Sequence, residues 1–350
     1  MERPNNNTLI SDYSTQSSPV SKLSRIGFTL TIAAIVMCGL AVSGLSTYSI
    51  AQELTSTSQA TTDHPGWAHL PGVIIRPDCA HEIPKGARVE IGKDGNLTGD
   101  VTLKGELIAH YDDCPEKAIV TRQGARTQGG VQAQAQEETG NGWVEDDQWN
   151  SALGSSDDID YMGSNWTVPA YPSEDDGQVI YLSNGIAPAS HKFFLEAALV
   201  YGYNGMFGGN YYSIATFLVG PSAVYYSAPD YVYPGDSLTG YTKMTGKSGS
   251  TKYWDVVIVD NSTGAYSAGS YWVSGQHWTF AYRGALQAYN LYACAEFPAS
   301  PRTVFSNAAV YHGFPYFYEF SYPNWIGVIP GYGGPTCHFA VVAASGTLDY

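Results

Sequence analysis

The chain has 350 residues, with 32 Asp and Glu against 17 Lys and Arg, a formal net charge of -15, and 44% hydrophobic but only 14% charged residues. That length suits one domain of about 200 residues with a smaller companion. From residue 140 onward 17 Asp and Glu stand against 6 Lys and Arg, so no basic face is available for phosphates and nucleic acid is not expected as a partner.

A high content of Tyr (27), Gly (38) and Trp (8), broken by Pro, Asn and Asp, favours strands and turns over helices. Residues 1–25 form a polar leader ending in Lys22 and Arg25. Residues 26–45 are uncharged and mainly apolar, an N-terminal apolar helix that reads as a signal peptide or a membrane anchor. Either reading exports the remainder, secreted or held at the extracellular face, with the membrane touched through this segment alone. Residues 46–64 are a polar spacer.

Residues 65–122 make a small β-rich unit, with strands expected at Val73–Ile75, Arg88–Ile91 and Val101–His110 and a turn at Lys93–Asn96. Residues 123–142, rich in Gln, Gly and Ala, read as a linker open to proteolysis. From 143 to 350 short strands follow one another between turn signals. They are expected at Asn165–Val168, Gln178–Leu182, Phe193–Tyr201, Tyr212–Val219, Asp236–Lys243, Tyr253–Asp260, Ala265–Val273, Trp278–Tyr282, Asn290–Phe297, Thr303–Val310 and His338–Ala343. With no convincing amphipathic helix, the fold class is all-β, an antiparallel β-sandwich of the jelly-roll kind.

Cysteine placement agrees with export. Cys38 lies in the apolar segment, while Cys79 and Cys114 fall in the first unit and Cys294 and Cys337 in the second, so pairing within units leaves two disulfides. No cysteine or histidine spacing suits a metal, and no cofactor is expected.

Two glutamates carry the chemistry. Glu196 and Glu296 stand alone in the apolar runs Phe193–Leu199 and Tyr292–Phe297, whereas Glu145, Glu174 and Glu319 sit in acidic, Pro-rich or aromatic loop-like sequence. A single Glu in an apolar strand most often reaches solvent at an edge or strand end. Two on different strands suggest a carboxylate pair that shares a proton and performs acid/base work.

The order Trp166-Thr167-Val168-Pro169, Leu195-Glu196-Ala197, Pro229-Asp230-Tyr231, Pro234-Gly235-Asp236-Ser237-Leu238, Val259 to Gly264, Ala295-Glu296-Phe297 and Phe305 to Ala308 resembles the eqolisin family of glutamic peptidases over residues 143–345. The resemblance implies a concanavalin-like sandwich with its catalytic residues on the concave sheet. It carries a catalytic Gln to the position of Glu196, a catalytic Glu to Glu296 and a substrate-contacting Trp to Tyr181. Glu in place of that Gln makes the chain similar also to neprosin-type glutamic peptidases, which use two glutamates.

The expected protein is thus an exported, acid-active endopeptidase, monomeric, acting on polypeptide and made as a zymogen with residues 65–122 as pro-domain. Two other classes suit the same residues. A jelly-roll glycoside hydrolase would also place two glutamates on an aromatic concave face, about 5 to 9 Å apart. A non-catalytic lectin-like protein would pair them with Arg283 or Arg302.

Overall fold

Strands in this chain differ in how many of their faces are covered, and that difference organises the fold. The computed structural model describes residues 65–91, 99–115, 119–120, 142–151, 158–220, 222–300, 302–320, 323–328, 337 and 347–349. The leader, apolar segment, spacer, Lys93–Asn96 turn, the linker except Gly142 and the strand expected at His338–Ala343 lie outside them.

In chain order the strands are β1 (Ala68–Leu70), β2 (Val73–Ile75), β3 (Ala80–Ile83), β4 (Ala87–Ile91), β5 (Gly99–Leu103), β6 (Glu106–Tyr111) and β7 (Ile119–Val120). Next come β8 (Gly142–Asn150), β9 (Tyr161–Thr167), β10 (Val179–Pro188), β11 (Phe194–Tyr201), β12 (Tyr212–Val219), β13 (Val224–Ser227) and β14 (Asp230–Val232). The rest are β15 (Ser237–Ser248), β16 (Thr251–Asp260), β17 (Tyr266–Ser274), β18 (Trp278–Tyr289), β19 (Arg302–Val304), β20 (Ser306–His312), β21 (Tyr318–Glu319), β22 (Ile326–Val328) and β23 (Thr347–Asp349). Helical structure among the described residues is limited to short 3-10 turns, among them Pro77–Cys79 and Cys294–Glu296, and no helix among those residues is long and apolar enough to cross a membrane.

Two nine-stranded sheets stack face to face. The first runs β22-β8-β18-β10-β11-β12-β13-β3, with β14 on β12, and the second runs β21-β20-β9-β15-β16-β17-β4-β5-β6. In the second sheet β15, β16 and β17 alternate buried with half-exposed residues, the pattern of a sheet with one wet face. By contrast, every residue of β10, β11 and β12 is buried.

Both faces of the first sheet are therefore covered. Its inner face packs Leu195, Ala197 and Leu199 against Trp254, Val256, Ile258 and Tyr271 of the second sheet. Its outer face packs Tyr181, Phe194, Ala198, Val200, Phe217 and Tyr289 beneath Ala68, Leu70, Val73 and Ile75. Each large apolar side chain so buried contributes about 1.5–3 kcal/mol. The antiparallel ribbon β1-β2 is thus an apolar cover on the sheet.

The expected small pro-domain does not stand apart. β3 pairs in parallel with β13, and β4 pairs in parallel with β17, so the two sheets each gain edge strands from residues 80–111. Edge strands offer unpaired backbone groups, and these segments satisfy them. The Cys79–Cys114 and Cys294–Cys337 disulfides both form, as pairing within units implied.

Several elements differ from expectation: the strand expected at Val101–His110 is the hairpin β5-β6, reversed at Lys104 and Gly105, which both take positive φ, and the one expected at Thr303–Val310 is divided between β19 and β20. β18 continues to Tyr289, where Asn290 takes a left-handed φ of 55° and ends it; the strand expected at Asn290–Phe297 is instead a loop and the Cys294–Glu296 turn. β8 was legible only as acidic loop, because Glu145-Asp146-Asp147 has poor strand propensity. It is nonetheless buried, Glu145 included, and pairs with β18.

His81 of β3 lies at the seam between the cover and the sandwich. Its ring stacks on Tyr111 at 3.7 Å between centroids, and burial holds its pKa at about 4, below the ordinary 6.5, although Asp78 pulls it upward. A released His81 takes a proton near 6.5 while the docked one resists until about 4, so docking stability is full above that window and falls as pH drops through it. Protection of the amides of residues 80–83, taken relative to their intrinsic exchange rate at each pH, should fall on acidification across this range, and His81→Phe should flatten the dependence; an unchanged profile in the variant removes His81 as the cause.

Candidate functional site

β11 is apolar on both faces, so its one charged residue has no route to water. Glu196 shares the outer face with Phe194, Ala198 and Val200 and is fully buried. On β18 the residues Ala285, Gln287 and Tyr289 lie on that same face, and Gln287 is fully buried too. The strand between them, β10, places Gly185 opposite Glu196 and Tyr181 opposite Gln287.

The two polar side chains meet. Gln287 Nε2 donates to Glu196 Oε2 at 3.3 Å; a carboxylate only accepts, so the carboxamide presents its N–H. Gly185 keeps the space open, since a Cβ there would come within 2.5 Å of the Tyr282 hydroxyl and 2.2 Å of the Leu195 carbonyl. A register shift between Ser183 and Gly185 in the β10-β18 ladder bends the sheet at this level.

Tyrosine hydroxyls surround the pair. Tyr181 donates to the His69 carbonyl at 2.6 Å and accepts from Asn204 Nδ2 at 3.0 Å. Tyr289 donates to the Leu70 carbonyl at 2.7 Å. Burial pushes the Tyr181 hydroxyl well above its ordinary pKa, with Tyr289 and Glu196 adding to the effect and Asn204 opposing it. Tyr181 therefore remains a neutral donor.

The ribbon above closes the site. Asn204 also accepts from the His69 amide at 2.9 Å, and its side chain holds the Met206 and Phe207 amides, which shapes the loop after β11. Gly205 in that loop has a φ of 95°, and a Cβ on it would come within 2.7 Å of the Ala68 Cα. The loop, β1 and the outer face thus lie in mutual contact.

Glu196 and Tyr181 lie on one face of one sheet. Glu296 does not join them. Its carboxylate turns back on its own 3-10 turn and accepts from the Tyr292 amide at 2.5 Å and the Ala293 amide at 3.2 Å. Its carbonyl accepts from Gln178, seven residues before the Gly185 that faces Glu196, which at about 3.3 Å per residue is roughly 20 Å of strand.

Gln287, Tyr289 and Asn204 were not singled out from the sequence. A usable signal existed for the first, a lone polar residue in Gly284-Ala285-Leu286-Gln287-Ala288-Tyr289, at the spacing that shares a face with Tyr289. Arg283, proposed as a partner for the glutamates, instead binds Asp147 through Nε at 2.7 Å and a terminal nitrogen at 2.6 Å. Among the described residues no cluster of His, Cys, Asp and Glu suits a metal ion.

No protein-family model matches the chain, and no curated protein matches it. Among solved structures, scytalido-glutamic peptidase with a transition state analog inhibitor is similar at 15% identity and a TM-score of 0.41, covering 60% of this chain and 96% of that one. SCP-B, a member of the Eqolisin family of peptidases in complex with the tripeptide Ala-Ile-His, is similar at 14% identity and a TM-score of 0.37, with the same coverage.

The Glu296 geometry has a measurable consequence. Removing a side chain that satisfies two turn amides costs about 1–2 kcal/mol, a fall of about 2–4 °C in Tm for a chain of this size. Glu296→Ala should show that loss in a thermal scan; an unchanged Tm would contradict a capping role.

Proposed function

We propose that this chain is an exported, acid-active endopeptidase of the glutamic type, with Glu196 and Gln287 as its working pair and the residues before the linker as its latency device. One observation carries the reading: a buried carboxylate hydrogen-bonded to a buried carboxamide at 3.3 Å, on a sheet face that, among the described residues, the N-terminal β1-β2 ribbon and the loop after β11 cover. This reading puts Gln287 in the place the expected dyad gave to Glu296, whose carboxylate is held by its own turn. The eqolisin pattern couples a Gln with a Glu, and this chain brings together the same two groups, with Glu at the position where that pattern has Gln.

The chemistry divides cleanly between them. Glu196 as carboxylate takes a proton from a water whose oxygen attacks the peptide carbonyl carbon. The carbonyl oxygen becomes an oxyanion and receives the N–H of Gln287. The proton then passes from Glu196 to the leaving nitrogen as the C–N bond breaks, which yields an acid and an amine and restores the carboxylate.

Export and acidity fit the remaining features. Two disulfides suit an oxidising compartment, and the 6 Lys and Arg from residue 140 onward limit cationic self-repulsion in that part when its carboxylates are protonated. The glycosidase alternative needs two carboxyls about 5 to 9 Å apart, whereas the partner of Glu196 here is an amide. The lectin-like alternative needs Arg283 or Arg302 at the glutamates; Arg283 is engaged with Asp147, and Arg302 stands on β19, paired with Asp349 of β23.

The test is cleavage of a denatured protein by the full chain, before and after nicking in the linker, across about pH 3 to 7, where a carboxylate base can work. Glu196→Gln and Gln287→Ala should each lower the rate by about 10²–10³-fold, the range for loss of a base or an oxyanion donor. Glu296→Gln should remain active. No cleavage by the nicked wild type at any of these pH values sinks the peptidase reading, and an active Glu196→Gln removes that residue.

A further inference from the structure

We propose that Tyr181 and Tyr289 form a clamp for the main chain of the substrate, and that β1 occupies the clamp as a built-in stand-in. The proposal rests on the peptidase reading and adds to it the residues that grip the polypeptide and the means of latency.

The two hydroxyls bind consecutive carbonyls of one extended segment. Tyr181 donates to His69 O and Tyr289 to Leu70 O, at 2.6 and 2.7 Å. Successive carbonyls of a strand point to opposite sides, which is why donors from two different strands, β10 and β18, are needed to hold both. A third contact, His69 N to Asn204 O at 2.9 Å, completes a strand-like grip on this residue. Every one of these contacts is to main chain, so an extended polypeptide of another sequence offers the same groups.

Position ties the clamp to Glu196 and Gln287. Tyr289 is two residues from Gln287 on the same face of β18, and Tyr181 is directly opposite Gln287 on β10. A main chain held by both hydroxyls therefore crosses the sheet over Gln287. Tyr181 also senses the charge of Glu196.

Burial supplies the reason for exchange. Both tyrosines are fully buried, with Tyr181 packed edge-on to Phe217 and Tyr289. When β1 departs, two hydroxyl donors remain in apolar walls, and a carbonyl pair from another extended chain satisfies them again. The side chains on β1 indicate the class. Ala68 and Leu70 both point into the cover and are fully buried, with Gly205 pressed against Ala68, so the clamp suits an uncharged segment with a small residue two positions before a branched apolar one.

Tyr181→Phe and Tyr289→Phe, made singly in the full chain, test this with two readouts. The first is hydrogen exchange of residues 68–75, which needs no activity; each variant should speed it about five- to tenfold by loss of one buried hydrogen bond, with β15–β17 unchanged. The second is steady-state cleavage of an extended apolar peptide by the linker-nicked chain, where each variant should raise KM by a similar factor with kcat within about twofold. A side chain that only props the sheet would lower kcat and folded fraction with KM unmoved, and that result overturns the clamp. Faster exchange in β1 with KM unmoved in a cleaving enzyme overturns it as well. A wild-type nicked chain that cleaves nothing overturns the peptidase reading, and the substrate half of the clamp with it, while the exchange result still reports whether the tyrosines hold β1.

Discussion

β10, β11 and β12 leave no residue exposed, and a sheet dry on both faces needs a second apolar layer on the side away from its partner sheet. The β1-β2 ribbon is that layer. From this one constraint follow the burial of Glu196, the tyrosine bonds to β1 and the absence of an open groove over the pair. Remove the ribbon, and the outer face becomes a concave apolar floor with polar groups converging at its centre, the usual anatomy of a binding site.

A buried carboxylate constrains its surroundings more than a buried amide does. Two glutamates at this spot would repel one another unless they shared a proton, and the shared proton would make their titration a joint property. A Glu beside a Gln avoids that coupling. An amide does not titrate, so Gln287 keeps an N–H aimed at the Glu196 carboxylate as pH changes.

In the proposed reading, latency and folding use the same contacts. The ribbon is anchored by side-chain bonds from Tyr181 and Tyr289 and by apolar burial, while residues 80–111 extend both sheets at their edges. Loss of the ribbon alone would uncover the site without removing the edge strands. His81 sits on the edge-strand part of this arrangement, stacked on Tyr111, where burial lowers its pKa.

Period-two patterning and turn signals were enough to define the sandwich, its central strands and the pairing of four cysteines, because those depend on local propensity and on which residues must leave water. Tyr212–Val219 matches its expected bounds, and Phe193–Tyr201 differs from β11 by one residue. Glu196 was legible for the same reason, as one charge in an apolar strand. Its partner was not, since Gln287 and Glu296 lie nine residues apart in one chain segment and only the path of β18, ended by Asn290, decides which reaches the sheet face. β8 was hidden because its acidic residues are stabilised by partners distant in sequence, such as Arg283 on Asp147. The sequence by itself determined the layers and one half of the site through burial patterns that repeat every two residues; tertiary structure alone decided the other half and what covers it, because hydrogen bonds between strands depend on register and on chain reversals that local patterning does not encode.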